Sequence, residues 1–244
     1  MSRVLNLLLT HQTPEAAARV LEWWRDIAPP GNILVAHGGR EEDFAGISHP
    51  QKVFIGDPRL RSRDHQREKQ SHGGVFRAVG DWLARRDYTH LYYVEFDHLP
   101  LVPDLNARQL VRLTEEGADV LAHHLNRIDN TSNPHYLSHA ADPDFHPYLE
   151  KISVRADRRT VLTAFGSGVF WKREAFMALA HHPEEIRAYM EIYIPTLVHH
   201  LGWRVRDYGD PHNDFVRALP EKWITPENAR AAGMWTVHPI KHLA

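Results

Sequence analysis

Two carboxylates stand two residues apart at the end of an apolar stretch. The run Leu91 to Val94 is typical of a strand buried on both faces, and Glu95 and Asp97 follow it. In an extended chain such residues share a face, so both carboxylates are expected to point to one side, with Phe96 turned into the core. Carboxylate oxygens suit Mg²⁺, Mn²⁺ or Ca²⁺, and a site with few protein ligands leaves positions open for phosphate oxygens. The pair therefore predicts a metal site for a phosphate ligand; the alternative is that the two acids are merely solvated or cap the next helix.

The composition restricts the ligands and partners of such a site. The 244-residue chain has 25% charged residues and a formal net charge of −2, so no overall positive charge favours nucleic acid or an anionic membrane. Cysteine is absent, which excludes thiolate ligands and leaves His, Asp and Glu as candidates. The apolar run at the N-terminus is too short for a membrane span and lacks a cleavage site, so we expect a cytoplasmic protein without a transmembrane segment.

Strands and helices alternate around the acidic pair. We expect strands at 4–10, 32–36, 52–55, 91–95 and 118–122, and helices beginning near Pro14, Gly73 and Asp104. This alternation predicts a single α/β domain with a mostly parallel sheet and helices on both faces. In such sheets ligands bind at the carboxyl ends of the strands. Residues that follow these ends should therefore line one crevice: Thr10, His11, His37 to Gly39, Asp57, Glu95 and Asp97.

The second half of the chain has weaker patterns. Residues 123–148 are polar and aperiodic, which predicts a long surface loop. The segment 165–168, Phe-Gly-Ser-Gly, has small residues that would allow close approach by a ligand or another strand. Pro195 can begin a new helical turn, and a strand is expected at 203–208. No repeat or linker divides the chain, so one domain is expected.

The order of these features resembles the GT-A glycosyltransferases, the nucleotide-diphospho-sugar transferase fold. The family's Asp-X-Asp motif at a central strand end is similar to residues 95–97, Glu-Phe-Asp, with Glu in the first place. Residues 238–241, His-Pro-Ile-Lys, look like the tail whose histidine completes the metal shell and whose basic residue approaches the diphosphate. Residues 165–168 resemble the family's acceptor-binding segment, which is built from small residues. Glu191, with residues 195–202, looks like the later motif whose acid meets the acceptor.

The resemblance implies a fold and an activity. The fold is a GT-A-like, Rossmann-like domain in which residues 1–122 bind the nucleotide sugar and residues 123–244 supply the acceptor-binding half and the metal-binding tail. The activity is a metal-dependent, inverting transfer from a nucleotide-diphosphate donor such as a UDP-sugar to a glycan, lipid or small-molecule acceptor. The implied cofactor is Mn²⁺ or Mg²⁺.

The resemblance also implies a role for individual residues. Glu95, Asp97 and His238 would hold the metal, and Glu191 would be the general base. The residues expected to bind the donor are Thr10, His11, Asp57, Arg63, Lys69 and Lys241. Two of these lie in the segment 59–69, which carries five Arg or Lys residues and could close over the phosphates. Each of these assignments has an alternative. The basic segment could be a solvated loop, His238 an ordinary surface or core histidine, and Glu191 a surface glutamate on a helix.

Three other functions stay open from the sequence. A nucleotidyltransferase shares a related sheet and metal, but it would require a Gly-rich basic loop after the first strand, where this chain has Thr10 to Thr13. A His-rich metallohydrolase could use some of the 19 histidines, although no His-Glu-X-X-His pattern occurs. A GT-A-like protein that only binds its ligand is the third alternative, and measurable donor hydrolysis distinguishes it from an enzyme.

Overall fold

Short strands separated by helices make up most of the described chain. The computed structural model describes residues 3–62, 71–182, 188–209, 212 and 225–240. Strands in these ranges are β1 Val4–Thr10, β2 Ile33–His37, β3 Lys52–Phe54, β4 His90–Glu95, β5 Leu99–Pro100, β6 Val120–Ala122, β7 Asn126–Arg127, β8 Leu162–Thr163, β9 Val169–Lys172, β10 Val205–Asp207 and β11 Thr236–Val237.

Helices occupy much of the sequence between these strands. They are α1 Pro14–Trp24, α2 Glu41–Gly46, α3 His72–Leu83, α4 Leu105–Glu115, α5 Pro134–Ala140, α6 Phe145–Ile152, α7 Arg173–Ala180, α8 Met190–His200 and α9 Pro226–Ala231. Residues 30–32 and 58–61 form single 3₁₀ turns. None of the described helices is both long and apolar enough to cross a bilayer.

Seven of the strands form one central sheet in the order β10-β6-β9-β4-β1-β2-β3. Neighbouring strands are parallel except at β9, which runs antiparallel to both β4 and β6. The predicted α/β fold with a mostly parallel sheet is therefore confirmed. The antiparallel β9 brings its amino end, rather than its carboxyl end, to the edge where the other six strands finish.

Both faces of the sheet are buried beneath helices. All seven residues of β1 are buried, because its side chains enter a different hydrophobic cluster on each face. On one face Phe76 of α3 contacts the rings of Tyr93, Trp171 and Phe176 at centroid distances of 5.5, 6.3 and 5.7 Å. On the other face the cluster includes Trp24 of α1, which is 1% exposed.

The predicted long loop at 123–148 is wrong. This range contains β7, α5 and the first half of α6. Asn133 caps α5 by accepting hydrogen bonds from the main-chain N–H groups of His135 and Tyr136, and Pro134 occupies the first helical position. Because α5 has seven residues and α6 has eight, neither is long enough to display a clear helical period.

Pro195 lies inside α8 instead of beginning a new turn. A proline has no N–H to donate to the carbonyl four residues earlier, which here is that of Glu191. The main-chain N–H of Ala164 donates to the Glu191 carbonyl at 2.9 Å instead, so the helix continues past the proline with this acceptor satisfied.

Candidate metal centre and adjoining cavity

The carboxyl ends of β1, β2 and β4 border a cavity of about 460 Å³. The residues that line it include Thr10, His11, Gln12, Glu95, Phe96 and Asp97. This is the edge at which a mostly parallel sheet binds ligands.

A turn brings the two carboxylates of this edge together. β4 ends at Glu95, and the N–H of His98 donates to the Glu95 carbonyl at 3.0 Å, which closes a turn around Asp97. The expectation that both acids extend from one strand is therefore wrong, although both reach the cavity. Phe96 is half-buried and lines the cavity, with its ring 5.0 Å from that of His11. It was expected to point into the core, but it lies in the turn and no longer follows the alternation of side chains along the strand.

His238 reaches the same place through a small antiparallel ladder. β11 pairs with β5, with Val237 opposite Leu99, and the N–H of Ile240 donates to the Asp97 carbonyl at 2.8 Å. These contacts hold the tail beside the turn. The His238 Nε2 atom lies 3.0 Å from Asp97 Oδ1 and 3.6 Å from Glu95 Oε2.

The three side chains fit a divalent cation. One potential ligand atom from each of Glu95, Asp97 and His238 lies within 4.8 Å of the others. Within the described ranges, Asp97 Oδ1 and both ring nitrogens of His238 are buried and lack a partner with hydrogen-bond geometry. Two carboxylates match the charge of a divalent ion, and carboxylate oxygens with one imidazole nitrogen suit Mn²⁺ or Mg²⁺. Buried polar atoms without hydrogen bonds are costly, and a metal ion would satisfy them.

In the absence of a metal ion, the attraction between His238 and the two carboxylates, Glu95 and Asp97, changes the protonation of all three groups. Burial alone would lower the pKa of His238, but contact with Asp97 and Glu95 outweighs burial and raises this pKa to about 9. Burial would raise the pKa of both carboxyls, yet His238 holds the pKa of each below its ordinary value. At neutral pH the cluster is therefore an imidazolium between two carboxylates.

Metal binding should release a proton from this cluster. A histidine whose pKa is raised by folding, here from 6.5 to about 9, stabilises the protein fully below pH 6.5, and this stabilisation is lost as the pH rises through about 9. A metal ion needs the neutral ring, so Mn²⁺ binding at pH 7.5 should release about one proton, and affinity should rise up to about tenfold per pH unit until about pH 9. Titration calorimetry in two buffers of different ionisation enthalpy measures this release. Mn²⁺ binding with no proton release would contradict this protonation state.

The first predicted donor-binding residues line the cavity. Thr10 and His11 are both among its lining residues, and the Thr10 hydroxyl accepts a hydrogen bond from the N–H of Gln12 at 3.1 Å. His37 is fully buried behind them. Its Nδ1 accepts from the N–H of Gly39 at 3.3 Å, so its Nε2 donates to the Gln12 carbonyl at 3.0 Å. His37 thereby joins the loops that follow β1 and β2.

The other predicted site residues lie elsewhere. Asp57 accepts from the main chain and guanidinium of Arg59, and this contact holds its pKa below the ordinary value. Glu191 lies in the first turn of α8, outside the cavity lining. Burial lowers the pKa of His139, and the charge of Glu191 opposes this shift without reversing it. The remaining predicted residues lie outside the described ranges: Arg63, Lys69 and Lys241.

Sequence reasoning missed part of the site. His72, the first residue of α3, lines the cavity, and Ser167 and His98 lie buried behind the acidic pair. His98 directly follows the acidic motif, which is a signal that could have drawn attention to it. The contact of Ser167 with this turn depends on the antiparallel course of β9, which no local pattern indicates.

No protein-family model matches the chain, and no curated protein matches it. Among solved structures, the chain is similar to the bifunctional IspDF from Campylobacter jejuni, at 9% identity and a TM-score of 0.48 over 92% of this chain and 54% of that one. It is similar to the mannosyltransferase PcManGT from Pyrobaculum calidifontis in complex with GDP-Man and Mn²⁺, at 14% identity and a TM-score of 0.47 over 85% and 55%.

A third similar structure is CMP:2-keto-3-deoxy-manno-octonic acid synthetase complexed with CTP, at 12% identity and a TM-score of 0.46 over 84% of this chain and 89% of that one. The chain spans about half the length of the first two structures, 54% and 55%. At these identities and TM-scores the similarities assign neither a family nor an activity, so the functional argument rests on the site.

Proposed function

We propose that this chain is a metal-dependent glycosyltransferase of the GT-A type, which moves a sugar from a nucleotide-diphosphate donor to an acceptor. The observation that carries the proposal is the convergence of Glu95, Asp97 and His238 at the carboxyl ends of a mostly parallel sheet, beside a cavity of about 460 Å³. That volume falls within the range of about 300–1,000 Å³ typical of small-molecule sites.

The proposed chemistry uses the three ligands to hold Mn²⁺ or Mg²⁺ against the donor's phosphates. When bound, the ion would stabilise the negative charge that develops on the nucleoside diphosphate as the glycosidic bond breaks. Thr10, His11 and Asp57 would bind the donor, with His11 and Asp57 near the nucleoside. The basic residues that would contact the phosphates lie outside the described ranges: Arg63, Lys69 and Lys241.

The proposal divides the chain into two functional halves. Residues 1–122 would bind the nucleotide sugar, which is consistent with cavity-lining residues that fall between Leu9 and Asp97. Residues 123–244 would supply the acceptor side and the tail that carries His238. The donor would be a UDP-sugar or another nucleotide-diphosphate sugar, and the acceptor a glycan, a lipid or a small molecule.

A thermal-shift screen of nucleoside diphosphates with and without Mn²⁺ tests this function. A ligand that binds only the folded state raises its stability by mass action, so we expect a nucleoside diphosphate and Mn²⁺ together to raise the melting temperature more than either alone. The ligand found should then define a nucleotide sugar that the protein hydrolyses or transfers. Pyrophosphate release from a nucleoside triphosphate and a sugar phosphate would instead indicate a nucleotidyltransferase and overturn the proposal.

We assign the general base of an inverting transfer to Glu191. An inverting displacement requires a carboxylate on the acceptor side of the sugar, opposite the diphosphate. The adjacent Met190 fixes the start of this helix: its sulfur accepts a hydrogen bond from the Tyr93 hydroxyl at 3.3 Å, and a Cβ on Gly166 would lie only 2.5 Å from its methyl group. The start of α8 therefore packs against the end of β4 that precedes the metal ligands.

Removing this base should abolish turnover and spare donor binding. We expect Glu191→Gln to lower kcat by about 10²–10⁴-fold with nucleotide affinity nearly unchanged. Glu174→Gln is a matched control, because Glu174 also lies in the first turn of a helix but is exposed on α7. Transfer within a fewfold of wild type, or a product that retains the donor's anomeric configuration, would remove Glu191 from this role.

A further inference from the structure

One buried hydroxyl contacts both ends of the turn that carries the two acidic ligands. Ser167 Oγ accepts a hydrogen bond from the N–H of Glu95 at 2.9 Å and lies 2.9 Å from Nδ1 of His98. On its other side, Nε2 of His98 is 3.5 Å from the Tyr92 hydroxyl. Ser167 is 1% exposed and His98 is fully buried, so solvent does not replace these partners.

The Ser167 hydroxyl accepts a main-chain hydrogen bond just beyond the point where the pairing of β4 with β9 ends. The last main-chain bond between β9 and β4 in this direction runs from the N–H of Gly168 to the carbonyl of Tyr93, at 2.9 Å. Beyond this bond, the N–H of Glu95 has no strand partner on the β9 side, and the Ser167 side chain supplies the acceptor. The end of β4 is therefore held by the side chain of Ser167, which lies in the segment just before β9.

Two contacts on one oxygen restrict the whole turn. The Glu95 end is held through its main chain, the His98 end through its ring, and Asp97 lies between them. The N–H of His98 also donates to the Glu95 carbonyl at 3.0 Å, which closes the same turn from within. Ser167 is bonded to the main chain of Glu95 and lies beside the ring of His98, so this serine acts on the orientation of the turn rather than on a ligand atom.

We propose that Ser167 and His98 are positioning residues that hold Glu95 and Asp97 in the geometry a divalent cation requires. The inference rests on the proposed metal function and deepens it, because it assigns to the 165–168 segment a role in metal binding. Groups that orient metal ligands typically change metal affinity by about 10–100-fold when they are removed.

Three variants separate positioning from general structural support. Ser167→Ala removes the shared oxygen. His98→Asn and His98→Leu have side chains of similar size, but only asparagine keeps a polar group near the position of Nδ1 that can pair with the hydroxyl. Mn²⁺ affinity by titration calorimetry, the melting temperature in EDTA and hydrogen exchange of the Glu95 amide by NMR are measured for each variant.

We expect Ser167→Ala and His98→Leu to weaken Mn²⁺ binding by about 10–100-fold, and His98→Asn to remain within about threefold of wild type. The Glu95 amide should exchange faster in Ser167→Ala than in wild type, because its acceptor is gone. Equal Mn²⁺ affinities for the two His98 variants, or for Ser167→Ala and wild type, would overturn the positioning role even if the melting temperatures fell.

The result also separates this inference from the proposed function. A wild-type protein that binds no Mn²⁺ overturns the metal function, and with it any role in positioning a metal. A wild-type protein that binds Mn²⁺, combined with an unchanged affinity and unchanged Glu95 exchange in Ser167→Ala, overturns the positioning role alone.

Discussion

Replacing Asp97 with asparagine is expected to weaken Mn²⁺ binding by more than about 100-fold. Asparagine has nearly the same size, so the change removes one negative charge and leaves the packing of a side chain that is 7% exposed. The remaining carboxylate of Glu95 and the ring of His238 would supply one charge where a divalent ion needs two.

Asp104→Asn provides the control for this substitution. Asp104 also carries a carboxylate and pairs with Arg108 at 2.7 Å, but its side chain is 53% exposed on the surface before α4. The Mn²⁺ affinity of this variant should stay within about twofold of wild type, as expected for an exposed ion pair that does not line the cavity. Isothermal titration measures both variants, and an Asp97→Asn protein that binds Mn²⁺ as tightly as the control would contradict the assignment of this ligand.

The largest expected loss of stability follows from Gly168→Ala. Gly168 has a φ of +79°, and a Cβ there would lie 2.5 Å from Cε1 of His98 and 2.8 Å from Cδ2 of His123. Both histidines are buried, so neither ring can move aside into solvent. The left-handed backbone costs about 1–2 kcal/mol for alanine, and overpacking adds about 1–3 kcal/mol, which together give a loss of about 3 kcal/mol.

Gly233→Ala separates the cost of the left-handed backbone from the cost of overpacking. Gly233 has nearly the same φ, +78°, but no atom lies within 4 Å of a Cβ placed there. This control should lose only the backbone contribution of about 1 kcal/mol. Urea unfolding of both variants measures the difference, and equal free energies of unfolding would show that the histidine rings tolerate the added methyl group.

The same glycine shows why the role of the 165–168 segment could not be derived from sequence. The small residues at 166 and 168 predicted close approach by a ligand or another strand, whereas the structure places buried side chains against them. The groups in contact are buried side chains: Met190 lies against Gly166, and His98 and His123 lie against Gly168. These contacts join residues far apart in the chain, so local composition carries no information about them.

The central elements were predictable because their patterns are local. Five of the seven residues of β1 are Val or Leu, and the capped start of α1 combines Thr13, whose hydroxyl accepts from the N–H of Ala16, with a proline at the next position. The helices between 134 and 152 escaped prediction because each has about two turns. Both acids at the end of β4 reach the cavity, as expected, but the turn that follows Glu95 was not predicted, because a turn and one more strand residue share the same sequence signals.

His238 illustrates the limit for the candidate site. Its proximity to the acidic pair depends on the pairing of two-residue strands, β5 and β11, that lie about 137 residues apart in sequence. No periodicity indicates such a pairing, and only the resemblance of the 238–241 segment to a family tail suggested it. The contacts at 3.0 and 3.6 Å bring this histidine to the two carboxylates.

The most direct test of the proposed metal centre is an anomalous difference map, recorded above the manganese absorption edge, from crystals grown with Mn²⁺ and a nucleoside diphosphate. The proposed metal centre predicts one strong peak about 2 Å from a carboxylate oxygen of Glu95, a carboxylate oxygen of Asp97 and a ring nitrogen of His238, with phosphate oxygens on its open side. A nucleoside diphosphate bound in the cavity with no peak at these three side chains, or with the peak elsewhere on the protein, would contradict it.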